Sequence, residues 1–303
     1  MEHVGSILRT VARTRGIEIG KRTYDRKFEC IEAVRAQRDS RRQELVYAAR
    51  PFVLCGLPLK RPPEGVLLHR RRNGRYFLEV QGHPDFGLPF GQDRLLIIWI
   101  ASLAVRRQTR FIEFRAGSEI LEEFGLPRNG FHYRRIVEAF QRIFSCTIFF
   151  GNDDNGRQPV FDRARFCFFD RMRVWYSRES DDSRLNLIEL SEHFWHEIKS
   201  HPIPAEREVV RALANTPGCL DLYVWLVWRC HAARSIEHIP LFGETGLAAQ
   251  LGADAYGRLR DFKRTLARWL KTIRIYWCDC PATLPEDCAT LFIRPARLIY
   301  GRK

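Results

Sequence analysis

Arg258, Arg260, Lys263, Arg264, Arg268, Lys271 and Arg274 crowd one stretch, "YGRLRDFKRTLARWLKTIRIYWCDC" (Tyr256–Cys280), and only Asp261 could offset those charges from within the helix. The chemistry such a set supports is anion binding. At helical pitch, Leu259, Phe262, Leu266, Trp269, Leu270 and Ile273 share an arc of roughly 100°, and the cations fill the adjoining arc of roughly 140°. An apolar flank docked on a core would leave the cations facing outward. Like charges repel at i,i+4 spacing, and nucleic-acid phosphates would relieve that repulsion. An α-helix also fits the DNA major groove. The plainer alternative is an ordinary solvated helix face. A second, weaker set precedes it. In "NGFHYRRIVEAFQRIFS", His132, Arg135 and Arg142 lie opposite the stripe Ile136, Val137, Phe140, Ile143 and Phe144, while Arg128, Asn129 and Arg134 sit near the helix start. Recognition helices touch bases near their starts. Arginine suits guanine and asparagine suits adenine, so Arg128, Asn129, Arg258 and Arg260 are the base-reading candidates.

Other clusters are poorer chemistry. "SEHFWHEI" sets His193 and His196 three apart beside Glu192 and Glu197, but no third metal ligand can be nominated. Cys278, Cys280 and Cys288 could share one side of a hairpin, yet the usual C-x2-C spacing is missing. Cys30, Cys55, Cys146, Cys167, Cys219 and Cys230 have no base or ligand paired to them by spacing and read as small hydrophobes. There is no GxxxxGK[ST] phosphate loop, nor the histidine cluster that a tyrosine-based nicking enzyme would need. No catalytic residue, metal or cofactor is expected.

The elements that would position the cations occur twice. "LLIIWIASLAV" is a buried helix, "TRFIEF" a strand, "GSEILEEFG" a short helix, then comes the helix through "NGFHYRRIVEAFQRIFS", with strands "CTIFF" and "RARFCFFDRMRVWYS" around the turn "GNDDNGRQP". "LDLYVWLVWRCHAAR", "IEHIPLF", "GETGLAAQLG", Tyr256–Lys271, "TIRIYWCDC" and "CATLFIRPA" repeat that order at an offset of about 126 residues. Phe124-Gly125 then meets Leu251-Gly252, and Ile136, Phe140 and Ile143 meet Phe262, Leu266 and Trp269. Helix–strand–helix–helix–strand–turn–strand is the order of a winged helix-turn-helix. The expected fold is therefore α+β: a basic N-terminal extension (1–86) with a helix over Arg26–Ala48 and a hairpin turning at Asn73-Gly74, a first winged-helix domain (87–184), a connector (185–217) and a second winged-helix domain (218–303). In the first wing, Asp153-Asp154 would repel phosphate and leave Arg157 as the one contact, so the second unit should bind more strongly. "RRRNGR" (Arg70–Arg75) is either a DNA-touching tip or a solvated turn.

Bulk properties agree. The 303 residues carry a net charge of +14, with 45% hydrophobic residues, so the chain can build cores and the expected partner is a polyanion: DNA, RNA or an anionic membrane surface. The longest apolar run is far short of the roughly 20 residues a bilayer needs. No secretory signal opens the chain, and nine scattered cysteines fit a reducing cytoplasm.

Four segments, "LPFGQDRLLIIWIASLAVRRQTRFIEF", "GSEILEEFGLPRNGFHYRRIVEAFQRIFSCTI", "IELSEHFWHEIKSHPIPAEREVVRALANTPGCLDLYVWLVWRC" and "LGADAYGRLRDFKRTLARWLKTI", resemble in order the plasmid-encoded RepA replication initiators of Gram-negative bacteria. The resemblance runs from about Gly87 to Ala296. It implies a bacterial cytoplasmic protein that binds repeated sites in double-stranded plasmid origin DNA, opens the duplex nearby and recruits the host helicase machinery. It also implies paired winged-helix domains and, in some members, a self-dimer. The extension before Gly87 lies outside the resemblance: a DNA arm, a partner-binding segment and a solubilising surface all remain open. A transcriptional repressor on the same fold is the competing function. An initiator predicts direct repeats beside an AT-rich tract, and a repressor predicts a palindrome in a promoter.

Overall fold

The computed structural model of the chain describes residues 21–152, 163–166, 168–174, 185–243, 245–253, 258–286 and 289–299, with backbone alone at 21–26, 152 and 163–166. Residues 1–20, the first wing with Arg157, Cys167 and Cys288 lie outside them. The fold is α+β. Helix α3 (Asp93–Arg107) is the apolar run, buried from Asp93 to Ser102. Strand β4 (Phe111–Phe114), α4 (Ser118–Glu123), α5 (Gly130–Ser145) and β5 (Thr147–Asn152) follow in the expected order. Helix α8 (Pro217–Ala232), β10 (Glu237–Pro240), α9 (Leu247–Gln250), α10 (Leu259–Tyr276), β11 (Ala282–Thr283) and β12 (Thr290–Ile293) repeat it.

The two short helices end alike. Gly125 (φ 61°) and Gly252 (φ 62°) adopt the left-handed conformation that a side chain would strain. In one, Gly125 N donates to Glu122 O and Leu126 N to Leu121 O; in the other, Gly252 N donates to Ala249 O and Ala253 N to Ala248 O. Both are Schellman turns with the same bond spacing, so the duplication reaches down to individual hydrogen bonds.

The units differ in their sheets. In the second, the order is β10-β12-β11, all antiparallel. In the first, β4 pairs with β8 (Asn186–Leu190), which continues to β7 (Phe169–Arg173). Strand β5 instead joins β6 (Arg163–Phe166) and the hairpin of β2 (Leu68–Asn73) and β3 (Tyr76–Gln81) in the order β2-β3-β5-β6. The single strand expected over "RARFCFFDRMRVWYS" is thus divided between two sheets.

The N-terminal segment is woven into the body. The expected helix over Arg26–Ala48 is α1 (Lys21–Asp39), stopped by Arg41 at φ 53°, and then β1 (Leu45–Ala49). Strand β1 pairs along its whole length with β9 (Pro202–Glu206), a partner too distant in sequence for a local pattern to reveal. Helix α1 packs on α7 (Arg207–Leu213). Arg38 donates to both oxygens of buried Glu206 at 2.8 and 2.6 Å, and Gln43 Nε2 and Tyr223 Oη donate to the same carboxylate at 2.7 and 3.0 Å. Arg94 of α3 and Asp221 of α8 form an ion pair across the two units, and Arg94 Nη2 also donates to the carbonyls of Leu57 and Pro58, both at 3.1 Å.

Candidate nucleic-acid interface

Helix α10 buries Phe262, Thr265, Leu266, Trp269, Leu270, Ile273 and Tyr276. That stripe continues at helical spacing beyond Lys271, so the strand expected over "TIRIYWCDC" is helix as far as Tyr276. Tertiary burial outweighs the β propensity of its isoleucines and aromatics. On the other side, Arg258, Arg260, Arg264, Arg268, Lys271 and Arg274 are exposed and Lys263 is half-buried. Arg264 meets Asp261 at 3.2 Å and Arg268 donates to Thr265 Oγ1 at 3.1 Å. Arg274 donates to Ala282 O at 2.8 Å, and Lys263 to Glu286 O. Exposed ion pairs of the Arg264–Asp261 kind contribute well under about 1 kcal/mol, so a phosphate competes for that guanidinium at little cost. Arg258, Arg260, Arg268 and Lys271 have no acidic partner among the described residues.

Helix α5 offers less. Asn129 caps it, its Oδ1 accepting from His132 N at 3.0 Å, so part of that side chain's hydrogen-bonding capacity is spent on the helix. Arg128 is exposed but pairs with Glu122 at 2.7 Å. Arg134 is exposed. Arg135 lies over the exposed Phe131 ring at 5.6 Å. Partial burial, and then the Arg135 charge, hold the His132 imidazole below its ordinary pKa. Arg142 departs from expectation. It turns inward and forms a two-bond ion pair with Asp93 at 2.7 and 3.0 Å, with side chains 12% and 5% exposed, and its guanidinium lies 4.7 Å from the centre of the Phe90 ring. The helical wheel places Arg142 with the outward cations, but an acid from α3 faces that turn and draws it in.

The candidate metal clusters do not assemble among the described residues. Glu197, beside the two histidines, is taken by Arg50 at 2.7 and 2.8 Å. Burial pushes the Cys55, Cys219 and Cys230 thiols up to about 12, which leaves them unreactive. Among the described residues no helix is long and apolar enough to cross a membrane.

Sequence reasoning missed Arg94 and Asp221, which set one unit against the other. A signal existed for one of them: Asp221 is a lone charge inside the apolar run "CLDLYVWL", and such charges are rarely buried unless paired.

Two basic helices, each preceded by a short helix that ends in the same glycine turn, recur within one α+β chain. Residues 88–237 match the family described as plasmid encoded RepA protein, and the chain belongs to that family of replication initiators. In fold it is similar to the crystal structure of selenomethionine derivatives of domain 2 and domain 3 of RctB. That likeness has a TM-score of 0.52 at 14% identity, covering 78% of this chain and 94% of that one. A second crystal structure, of RctB domains 2-3, gives 0.50 at 15% identity, covering 78% and 92%. No curated protein sequence matches the chain.

Proposed function

We propose that this protein initiates plasmid replication by binding repeated sites in double-stranded origin DNA through two winged-helix units, acting in the cytoplasm and by binding rather than catalysis. On this reading it promotes local duplex opening, recruits host replication proteins and can pair with a second copy of itself. The observation that carries the reading is α10: a helix whose apolar side is buried and whose opposite side holds exposed cations, entered through a glycine turn shared with α5. The β10-β12-β11 order supports a winged-helix assignment for the second unit. Family membership supports the initiator role over other uses of such a helix.

The test is origin binding by a variant with Arg260, Lys263, Arg264 and Arg268 all changed to alanine, its folding checked by thermal melting. With about six phosphates neutralised, wild-type affinity should drop about a thousandfold between 50 and 200 mM salt. The variant should bind weakly even at the lower salt. Retained binding at moderate salt would remove α10 from the mechanism.

A further inference from the structure

In a helix-turn-helix, the helix before the recognition helix crosses the sugar-phosphate backbone, where positive charge is wanted. In the second unit that helix has none to give. The sequence from Leu241 to Gly257 contains no lysine or arginine, and it contains Glu244 and Asp254. The missing charge lies next to it in space. Strand β2 packs on α9, and a Cβ placed on Gly74 at the hairpin turn would lie 3.9 Å from the Thr245 side chain, just ahead of that helix. At its other end, Gly56 N donates to Gln250 O at 2.6 Å. A side chain on Gly252 would sit 2.3 Å from Leu57 O. The segment before the hairpin therefore bonds to the second unit through its backbone, and β2 packs beside it.

This flank is cationic. Lys60, Arg61, Arg70, Arg72 and Arg75 are exposed. A cleft of about 480 Å³ opens between the Pro58–Pro63 segment, β2 and the Gly252-Ala253 turn, and every charged residue lining it (Lys60, Arg61, Arg70 and Arg71) is basic. Glu79 engages Arg70 at 2.7 Å.

We propose that the β2–β3 hairpin and the Pro58–Pro63 segment form a third duplex-contacting element, which supplies α9 with the phosphate contacts that its own sequence lacks. This rests on the reading of α10 as a DNA-binding helix, and it gives the N-terminal segment a role as a fixed phosphate clamp beside the second unit.

The experiment measures affinity of the full chain for a labelled duplex of about 30 base pairs of arbitrary sequence across 50 to 200 mM salt, since phosphate contacts are independent of sequence. A variant with Lys60, Arg61, Arg72 and Arg75 changed to alanine should melt like the wild type. Its log–log salt slope should be shallower by about three to four, so the wild-type loss of affinity over that range shrinks about a hundredfold. The pair Lys60→Ala and Arg61→Ala, confined to an exposed loop, should flatten the slope by about two. The quadruple α10 variant is run in parallel. An α10 variant that loses affinity while both hairpin variants keep the wild-type slope overturns the clamp and leaves α10 standing. If α10 and hairpin variants alike bind as the wild type does, both readings fall.

Discussion

Acid should loosen the packing of the hairpin on the segment before it, and His69 supplies the magnitude. Its imidazole is buried, and Nε2 lies 2.9 Å from the Gly56 carbonyl oxygen. A carbonyl can only accept, so the neutral ring carries its proton on Nε2. Burial first, and then the nearby Arg71 and Arg94 charges, lower its pKa to about 4, against about 6.5 in an unfolded chain. Between those values the unfolded state binds more protons, so the contribution is intact above about pH 6.5 and is lost as pH falls through the window to about 4. Going from pH 7 to about pH 5 should remove about 2 kcal/mol of stability through this one side chain. His69→Gln keeps a donor for Gly56 and cannot titrate. Urea unfolding of wild type and variant at both pH values gives the comparison: the wild type should lose about 2 kcal/mol more than the variant on acidification. Equal losses would show that His69 is not held neutral by its surroundings.

Two further substitutions read the packing. Gly218→Ala would bring a Cβ within 2.2 Å of the Trp269 ring, which is itself buried; overpacking should cost about 2 kcal/mol in urea unfolding, and a variant more stable than wild type, as helix propensity alone would give, would contradict the tight crossing of α8 and α10. Arg142→Ala would strand the buried Asp93 carboxylate, so stability should fall by about 3–5 kcal/mol while the salt dependence of DNA binding keeps its slope. A flattened slope at unchanged melting temperature would return Arg142 to the candidate interface.

What the sequence disclosed follows physical range. The two faces of α10 repeat every three or four residues, and a period that short is fully written in Leu259–Ile273. The match of Phe124-Gly125 with Leu251-Gly252 was legible as a repeat, and the left-handed turn at each glycine came from the structure. The pairings of β1 with β9 and β3 with β5 join segments far apart in the chain, and nothing in "LVYAA" names its partner. The stretch after Lys271 has the composition of a strand, but Ile273 and Tyr276 are buried on the stripe that α10 already had. Arg142 was misplaced because a helical wheel shows one helix, whereas its destination was set by Asp93 on another.

The Arg94–Asp221 pair has a consequence for how the molecule meets anything long and periodic. It lies between the first helices of the two repeats, with the carbonyls of Leu57 and Pro58 closing over the same guanidinium. Parting the two helices would separate the Arg94 guanidinium from the Asp221 carboxylate, and a buried charge that loses its partner is costly. On the proposed reading, this pair ties together the units that carry the two basic helices, so a duplex would meet both helices on one joined body.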